Sequence, residues 1–262
     1  MSALKLGIVG CGVVGGALHH WLIKNTEHEI LRQDPPLGIK DDLAHVHAAF
    51  LCLPVPTKPN KAQDLSLLEH WVESLSPLGV PLFVRSTVLP GTCDSLAARF
   101  KARVYAMPEF LTMRRAAQDV ASHPILCGGI LSLSSGLLEE IFHDKELIRC
   151  TNVEAELAKY THNCFGAIKV GYFNIVYELC RRLVVNYEKV REAAMLTGFI
   201  ESSHTQVPGP DGGLGFGGAC FPKDLSAFVG LLYEMGIVGS GTLQSVGQDN
   251  LYYRSKKPHV LG

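Results

Sequence analysis

Apolar and polar positions follow two different periods along this chain. In the first half, short apolar runs separate amphipathic stretches, the pattern of a parallel sheet covered by helices on both faces. The runs predict strands at Leu4 to Val9, Glu29 to Gln33, Ala48 to Leu53, Pro81 to Arg85, Arg103 to Met107 and Ile125 to Cys127. Between them the spacing predicts helices at Val14 to Lys24, Leu65 to Leu75, Thr92 to Phe100 and Ser134 to Phe142. The stretch from Asp34 to Ala48 is short for a full crossover, so any helix there is expected to shrink to a turn.

From Asn152 the period changes. "NVEAELAKYTHNCFGAIKVGYFNIVYELCRRLV" has no proline, and Leu157, Phe165, Ile168, Tyr172, Ile175, Val176, Leu179 and Leu183 recur at helical spacing. A helix of about 30 residues would extend about 45 Å, a spine joining two domains with a face left for a second subunit. The alternative is two helices broken near Gly166 or Gly171, because an interior glycine costs about 1 kcal/mol relative to alanine. A helical pattern around Tyr187 to Thr197, the loop "VPGPDGGLGFGG" and a helix from about Pro222 to Met235 follow. The tail "NLYYRSKKPHVLG" carries too little apolar surface to build an element. The expected fold class is α/β: a Rossmann-like doubly wound parallel sheet over 1–150, then a long central helix and a small α-helical domain over 151–262.

Composition narrows the function. With 47% hydrophobic and 19% charged residues the chain has a globular balance, and no apolar window approaches the roughly 18 residues of a membrane span. A net charge of −1 leaves no footprint for nucleic acid or anionic lipid, so the expected partners are a small molecule and a second copy. The eight cysteines show neither a C-x-x-C pair nor a metal-ligand rhythm, and no metal is expected. Most sit in apolar runs, and the chain enters a strand-like run within about four residues, without room for a signal peptide. Both features point to a reducing, cytoplasmic setting.

Three groups of residues carry candidate chemistry. "LGIVGCGVVGGALHHWL" sets Gly10, Gly12 and Gly15 in G-x-G-x-x-G order between a strand and a helix, with Val13 at the helix entry. The first glycine allows a tight turn, the second lets the backbone approach a pyrophosphate, and the third permits close helix–strand packing. Asp34 lies at the end of the second strand, where a carboxylate accepts from adenosine ribose hydroxyls and repels a 2'-phosphate, favouring NAD over NADP. Alternatively, Asp34 simply opens the "DPPLG" turn.

The second group is "GFGGACFPKD". Pro222 suits a first helical turn, which puts Cys220 just before a helix N-terminus with Lys223 nearby; both favour the reactive thiolate. Gly215, Gly217 and Gly218 keep the surroundings clear of side chains, and Asp224 is placed to cap the helix or orient a water. The alternative is an incidental cysteine in a glycine-rich loop. In the third group, Lys159 and Asn163 stand four apart on the long helix and share a face, offering a cation and a donor to a developing oxyanion. Read alone, they would form a solvated helix face.

With these residues in hand, the chain resembles the UDP-glucose and GDP-mannose dehydrogenase family. The matching stretches are "GIVGCGVVG", "LPVPT" at 53–57, "RSTVLPGT" at 85–92, "MPEFL" at 107–111, "AELAKYTHN" at 155–163 and "GFGGACFPKD" at 215–224. The resemblance implies NAD-dependent oxidation of a sugar C6 alcohol to a carboxylate in two hydride transfers, with UDP-glucose as the substrate and a homodimer as the assembly. It implies Cys220 as nucleophile, Lys159 and Asn163 at the C6 oxygen, Asp224 and Thr87 ordering water, and Glu109 as an acid–base residue. Thr57 and Thr87 match positions lining the NAD site, Lys223 lies near substrate or cofactor, and the loop containing Gly215, Phe216 and Gly217 would hold the nucleotide-sugar.

The sequence also departs from that family. A third, nucleotide-binding domain is not included in these 262 residues, so a short form is expected. Met113-Arg114 replace a Glu-Gly after "PEFL", Arg85 stands where lysine is common, and a family arginine that reaches the neighbouring subunit's substrate is replaced at or near His204. Two rival readings remain: a two-electron dehydrogenase of the 3-hydroxyacid type, which shares the Lys-x-x-x-Asn pair, and an NAD-binding subunit without turnover.

Overall fold

The computed structural model describes residues 3–129 and 136–256. They fall into two compact units, one of Met1–Pro56 with Gln63–Lys159, the other of Thr57–Ala62 with Tyr160–Gly262.

In the first unit β1 (Lys5–Val9), α1 (Val13–Asn25), β2 (Glu29–Asp34), β3 (Ile39–Lys40), β4 (Ala48–Leu51), α2 (Ser66–Leu75), β5 (Pro81–Val84), α3 (Thr92–Phe100) and β6 (Arg103–Ala106) build a sheet of order β3-β2-β1-β4-β5-β6. All its pairings are parallel except β2 with β3. This is a Rossmann-like sheet whose inner strands β1, β4 and β5, with β6, are almost wholly buried, whereas the edge pair β2 and β3 carries charged and polar residues. Period two is strict within it: Phe50, Phe83 and Tyr105 join the core with Leu18 and Trp21, while Leu51, Leu82, Val84 and Val104 join the opposite core with Leu68, Val72 and Leu96.

Two expectations need correction here. The segment after Asp34 forms a 3-10 turn at Pro35–Leu37, as its length suggests, but then adds the antiparallel edge strand β3. After α4 (Ala116–Ser122), which its pattern did not reveal, β7 (Ile125–Cys127) does not extend the main sheet. It pairs in parallel with β8 (Leu147–Arg149), across α5 (Leu137–Ile141), in a two-stranded sheet. The start of the helix expected at Ser134 lies outside the described residues.

α6 (Asn152–Arg182) is one unbroken helix of 31 residues. Its start is locked reciprocally: the Glu154 N–H donates to Thr151 Oγ1 at 3.2 Å and the Thr151 N–H to Glu154 Oε2 at 2.7 Å, a capping box. Gly166 does not break it. A Cβ there would meet the Phe221 ring at 2.5 Å, so the glycine makes room for an aromatic side chain.

The second unit continues with α7 (Tyr187–Ala194), α8 (Phe221–Glu234) and α9 (Ser240–Arg254). Phe173, Tyr177, Cys180, Tyr187, Val207, Leu214 and Tyr253 form its core. α9 overturns the reading of the tail, since "NLYYR" closes a 15-residue helix. Asn250 and Tyr253 are its buried positions, so packing against the unit supplies what its weak periodicity lacks.

Candidate functional site

The glycine loop of the first unit has the geometry its sequence implies. Gly10 sits at φ +88°, and a Cβ on it would come within 2.4 Å of the Cys52 carbonyl; one on Gly15 would lie 1.9 Å from the Gly10 carbonyl. Nothing lies within 4 Å of a Cβ built on Gly12, so the backbone there is open to a close ligand. Val13 begins α1 and is exposed. Asp34 ends β2 and accepts the Cys11 N–H on Oδ2 at 2.7 Å, while its side chain makes no capping bond to the turn that follows. The carboxylate is thereby anchored on the loop at the carboxyl end of the sheet, where open α/β folds bind their ligands. These residues fit a dinucleotide.

Lys159, the last residue of this unit, is 4% exposed and not part of a solvated face. Its Nζ lies 3.3 Å from Glu109 Oε1 and 5.4 Å from the centre of the Phe110 ring. The Glu109 Oε2 accepts the Leu111 N–H, which fixes the carboxylate. Thr87 lies just beyond β5, and its carbonyl accepts from the Gln63 amide at 3.1 Å.

One turn further along α6, in the second unit, Asn163 is equally buried. It donates to Asp224 Oδ2 at 2.6 Å, and Lys223 Nζ donates to Oδ1. Asp224 therefore does not cap α8; its carboxylate is held between an amide and an ammonium. Lys223 is tied in turn, through its carbonyl, to the Thr57 hydroxyl at 3.1 Å. Cys220 is the N-cap residue of α8, with Pro222 in the first turn. It is the one exposed thiol of the eight. Burial pushes the thiols of Cys52, Cys127 and Cys164 up to about 12, which makes them inert hydrophobes. His204, at φ +61°, packs its ring 5.2 Å from that of Phe221, and burial, then the Lys169 charge, lowers its pKa.

Sequence reasoning missed the residues that hold the glycine-rich loop. Asn174 Oδ1 accepts the Gly215 N–H at 2.8 Å. Asn250 accepts the Phe216 N–H at 2.7 Å and donates to its carbonyl at 2.9 Å. Gly215 sits at φ +69° and a Cβ on it would meet Asn250 at 2.4 Å, so the protein's own packing requires glycine there, whereas one on Gly217 would meet the exposed Asp211 carboxylate, at 2.8 Å. The available signal was Asn174 itself, a lone amide on an apolar stretch of α6. Glu156 was missed likewise: its buried carboxylate accepts the Gly91 N–H at 2.6 Å and the Cys93 N–H at 2.8 Å at the start of α3.

Fold and residues together define a class: a Rossmann-like α/β unit continued through a long helix into a helical unit whose cysteine stands at a helix entry. Residues 153–251 match the family model for the central domain of the UDP-glucose/GDP-mannose dehydrogenase family, and over that stretch the chain is similar to those enzymes. The UDP-glucose 6-dehydrogenase of Rickettsia bellii is 26% identical over 89% of this chain and 55% of its own length. A UDP-glucose dehydrogenase structure from the archaeon Pyrobaculum islandicum superposes with a TM-score of 0.82 at 25% identity, covering 96% of this chain and 68% of that one. The 3-hydroxyisobutyrate dehydrogenase of Mycobacterium tuberculosis, at 15% identity and a TM-score of 0.75, covers 98% of this chain and 97% of its own, and shares the fold alone. The chain spans about half the length of the curated relatives it matches. No helix among the described residues is long and apolar enough to cross a membrane, and no cluster of described side chains could hold a metal ion.

Proposed function

We propose that this protein is an NAD-dependent nucleotide-sugar 6-dehydrogenase that oxidises UDP-glucose to UDP-glucuronate. The observation that carries the reading is the contrast at Cys220: one exposed thiol at the N-cap of a 14-residue helix, in a chain whose other cysteines are partly or fully buried. A helix N-terminus favours the thiolate over the thiol.

Gly10, Gly12, Val13, Gly15, Asp34, Thr57, Thr87 and Lys223 are the residues proposed to hold the dinucleotide. When bound, it accepts hydride. Loss of a proton and a hydride from the C6 alcohol leaves an aldehyde, whose carbon the Cys220 thiolate attacks to form a thiohemiacetal. Loss of a second hydride together with the thiohemiacetal's hydroxyl proton leaves a thioester, and water releases the carboxylate and restores the thiol, so each sugar consumes two NAD and one water. The covalent bond keeps the reactive aldehyde in place and divides a four-electron oxidation into two steps.

Lys159 and Asn163 hold the C6 oxygen as charge develops on it. Their burial and their one-turn spacing on α6 support that role. Asp224 and Thr87 order the hydrolytic water, Glu109 moves the proton, and Glu109, His204, Gly215, Phe216 and Gly217 contact the sugar nucleotide. A homodimer through α6 completes the assembly; the exposed Phe165, Tyr172, Ile175, Leu179 and Leu183 at helical spacing support it. The protein acts in the cytoplasm.

The test is the NADH formed per sugar with purified protein, NAD and limiting UDP-glucose. Two per sugar, with UDP-glucuronate as product, is expected. One per sugar would replace this reading with a two-electron oxidation of the hydroxyacid type, and none with any nucleotide-sugar would leave a binding subunit.

A further inference from the structure

Arg85 follows β5 directly and is 4% exposed. Its Nε and Nη1 have no hydrogen-bond partner among the described residues. Buried N–H groups left unpaired are costly, and buried charges as a rule are paired. A cavity of about 20 Å³ adjoins the guanidinium, bordered by Leu18, Arg85, Glu109, Phe110, Asp119 and His123.

The two carboxylates at this cavity are engaged elsewhere. Glu109 takes the Leu111 N–H on one oxygen and Lys159 Nζ on the other. Asp119 Oδ2 takes both the N–H and the hydroxyl of Thr112 at 2.7 Å, and Oδ1 faces Arg115 at 3.9 Å. Lys145, whose Nζ is held by the Val120, Ala121 and His123 carbonyls, adds another cation that feels the Arg85 charge. Each carboxylate is thus engaged by other donors, and among the described residues no ion pair forms to the Arg85 charge. It acts on its surroundings, opposing the burial that pushes the Cys52 and Cys127 thiols up to about 12.

We propose that this cavity binds one monatomic anion, chloride under ordinary conditions, held by Nε and Nη1 of Arg85. Size is compatible with a single small particle: a cavity needs roughly 10–15 Å³ to accept one of water size, and this one offers about 20 Å³. Charge selects the ligand. A water molecule would accept the two N–H groups but leave the buried cation without a counter-ion, which is the costly state of a broken ion pair.

Two measurements on the whole protein test the site. Thermal unfolding is followed in sodium chloride and in sodium gluconate at equal ionic strength, and crystals soaked in sodium bromide are examined for anomalous scattering. The expected results are an unfolding temperature that rises by about 2–4 °C with saturating chloride, and a bromine peak within hydrogen-bond distance of Arg85. Arg85→Gln, checked for folding by circular dichroism, should lose the chloride dependence. Equal unfolding temperatures in the two salts, bromine at surface positions alone, or chloride dependence retained in Arg85→Gln would each overturn the proposal.

Discussion

Asn163 donates its amide to Asp224 Oδ2 at 2.6 Å, with neither residue more than 4% exposed. The bond ties the middle of α6 to the first turn of α8, four residues past Cys220. Asn163→Ala leaves a buried carboxylate with Lys223 as its remaining side-chain partner, and a loss of about 1–3 kcal/mol is expected. Asn163→Asp sets a second carboxylate against the first and should cost more. Urea unfolding of the two variants gives the order directly.

Cys220→Ser changes one exposed atom and should leave stability within about 0.5 kcal/mol of the parent. Formation of the sugar acid should disappear while NAD binding, followed by calorimetry, is retained. Turnover at the parent rate in this variant would remove the covalent route.

The glycines of the loop should respond unequally to alanine. Gly218 lies at φ +76° with nothing near a Cβ, so Gly218→Ala carries only backbone strain of about 1–2 kcal/mol. Gly215 lies at φ +69° and would also drive a Cβ into Asn250 at 2.4 Å. Gly215→Ala should therefore cost clearly more in chemical denaturation; equal losses would show that the Asn250 clamp yields.

Burial raises the Glu156 pKa from its ordinary 4.5 to about 7, against the Cys93 and Gly91 N–H bonds that lower it. The folded state then holds this proton more tightly than the unfolded chain does. Its stabilising contribution is full below the unfolded pKa of 4.5 and is lost as pH rises through about 7, by about 3 kcal/mol at most. Comparison of urea unfolding near pH 5 and pH 8 should show this decline in the parent and a flatter profile in Glu156→Gln. Parallel profiles would contradict it.

Phe165→Arg and Leu179→Arg place charges on the exposed stripe of α6, where neither side chain supports the fold of its own chain. Sedimentation in the micromolar range should find a dimer for the parent and a monomer for the double variant. A monomeric parent would sink the proposed assembly.

Local order was legible where the physics is local. The change at Asn152 from short apolar runs to a long helical spacing predicted the sheet and the long helix α6, and the order of Gly10, Gly12 and Gly15 predicted a turn, an open approach and a tight packing contact that the structure contains. Pro222 placed Cys220 at a helix entry for a similarly short-range reason, its fixed φ. Partners distant in sequence were not legible. Lys159 and Asn163 look like surface residues until Glu109 and Asp224 come to meet them, and α9 looks like a tail until Asn250 closes on Phe216. Arg85 looks like one more basic residue until the fold buries it. Helical and strand periods arise from backbone geometry repeated every few residues, whereas burial and hydrogen-bond satisfaction are set by segments that meet only when the whole chain has folded.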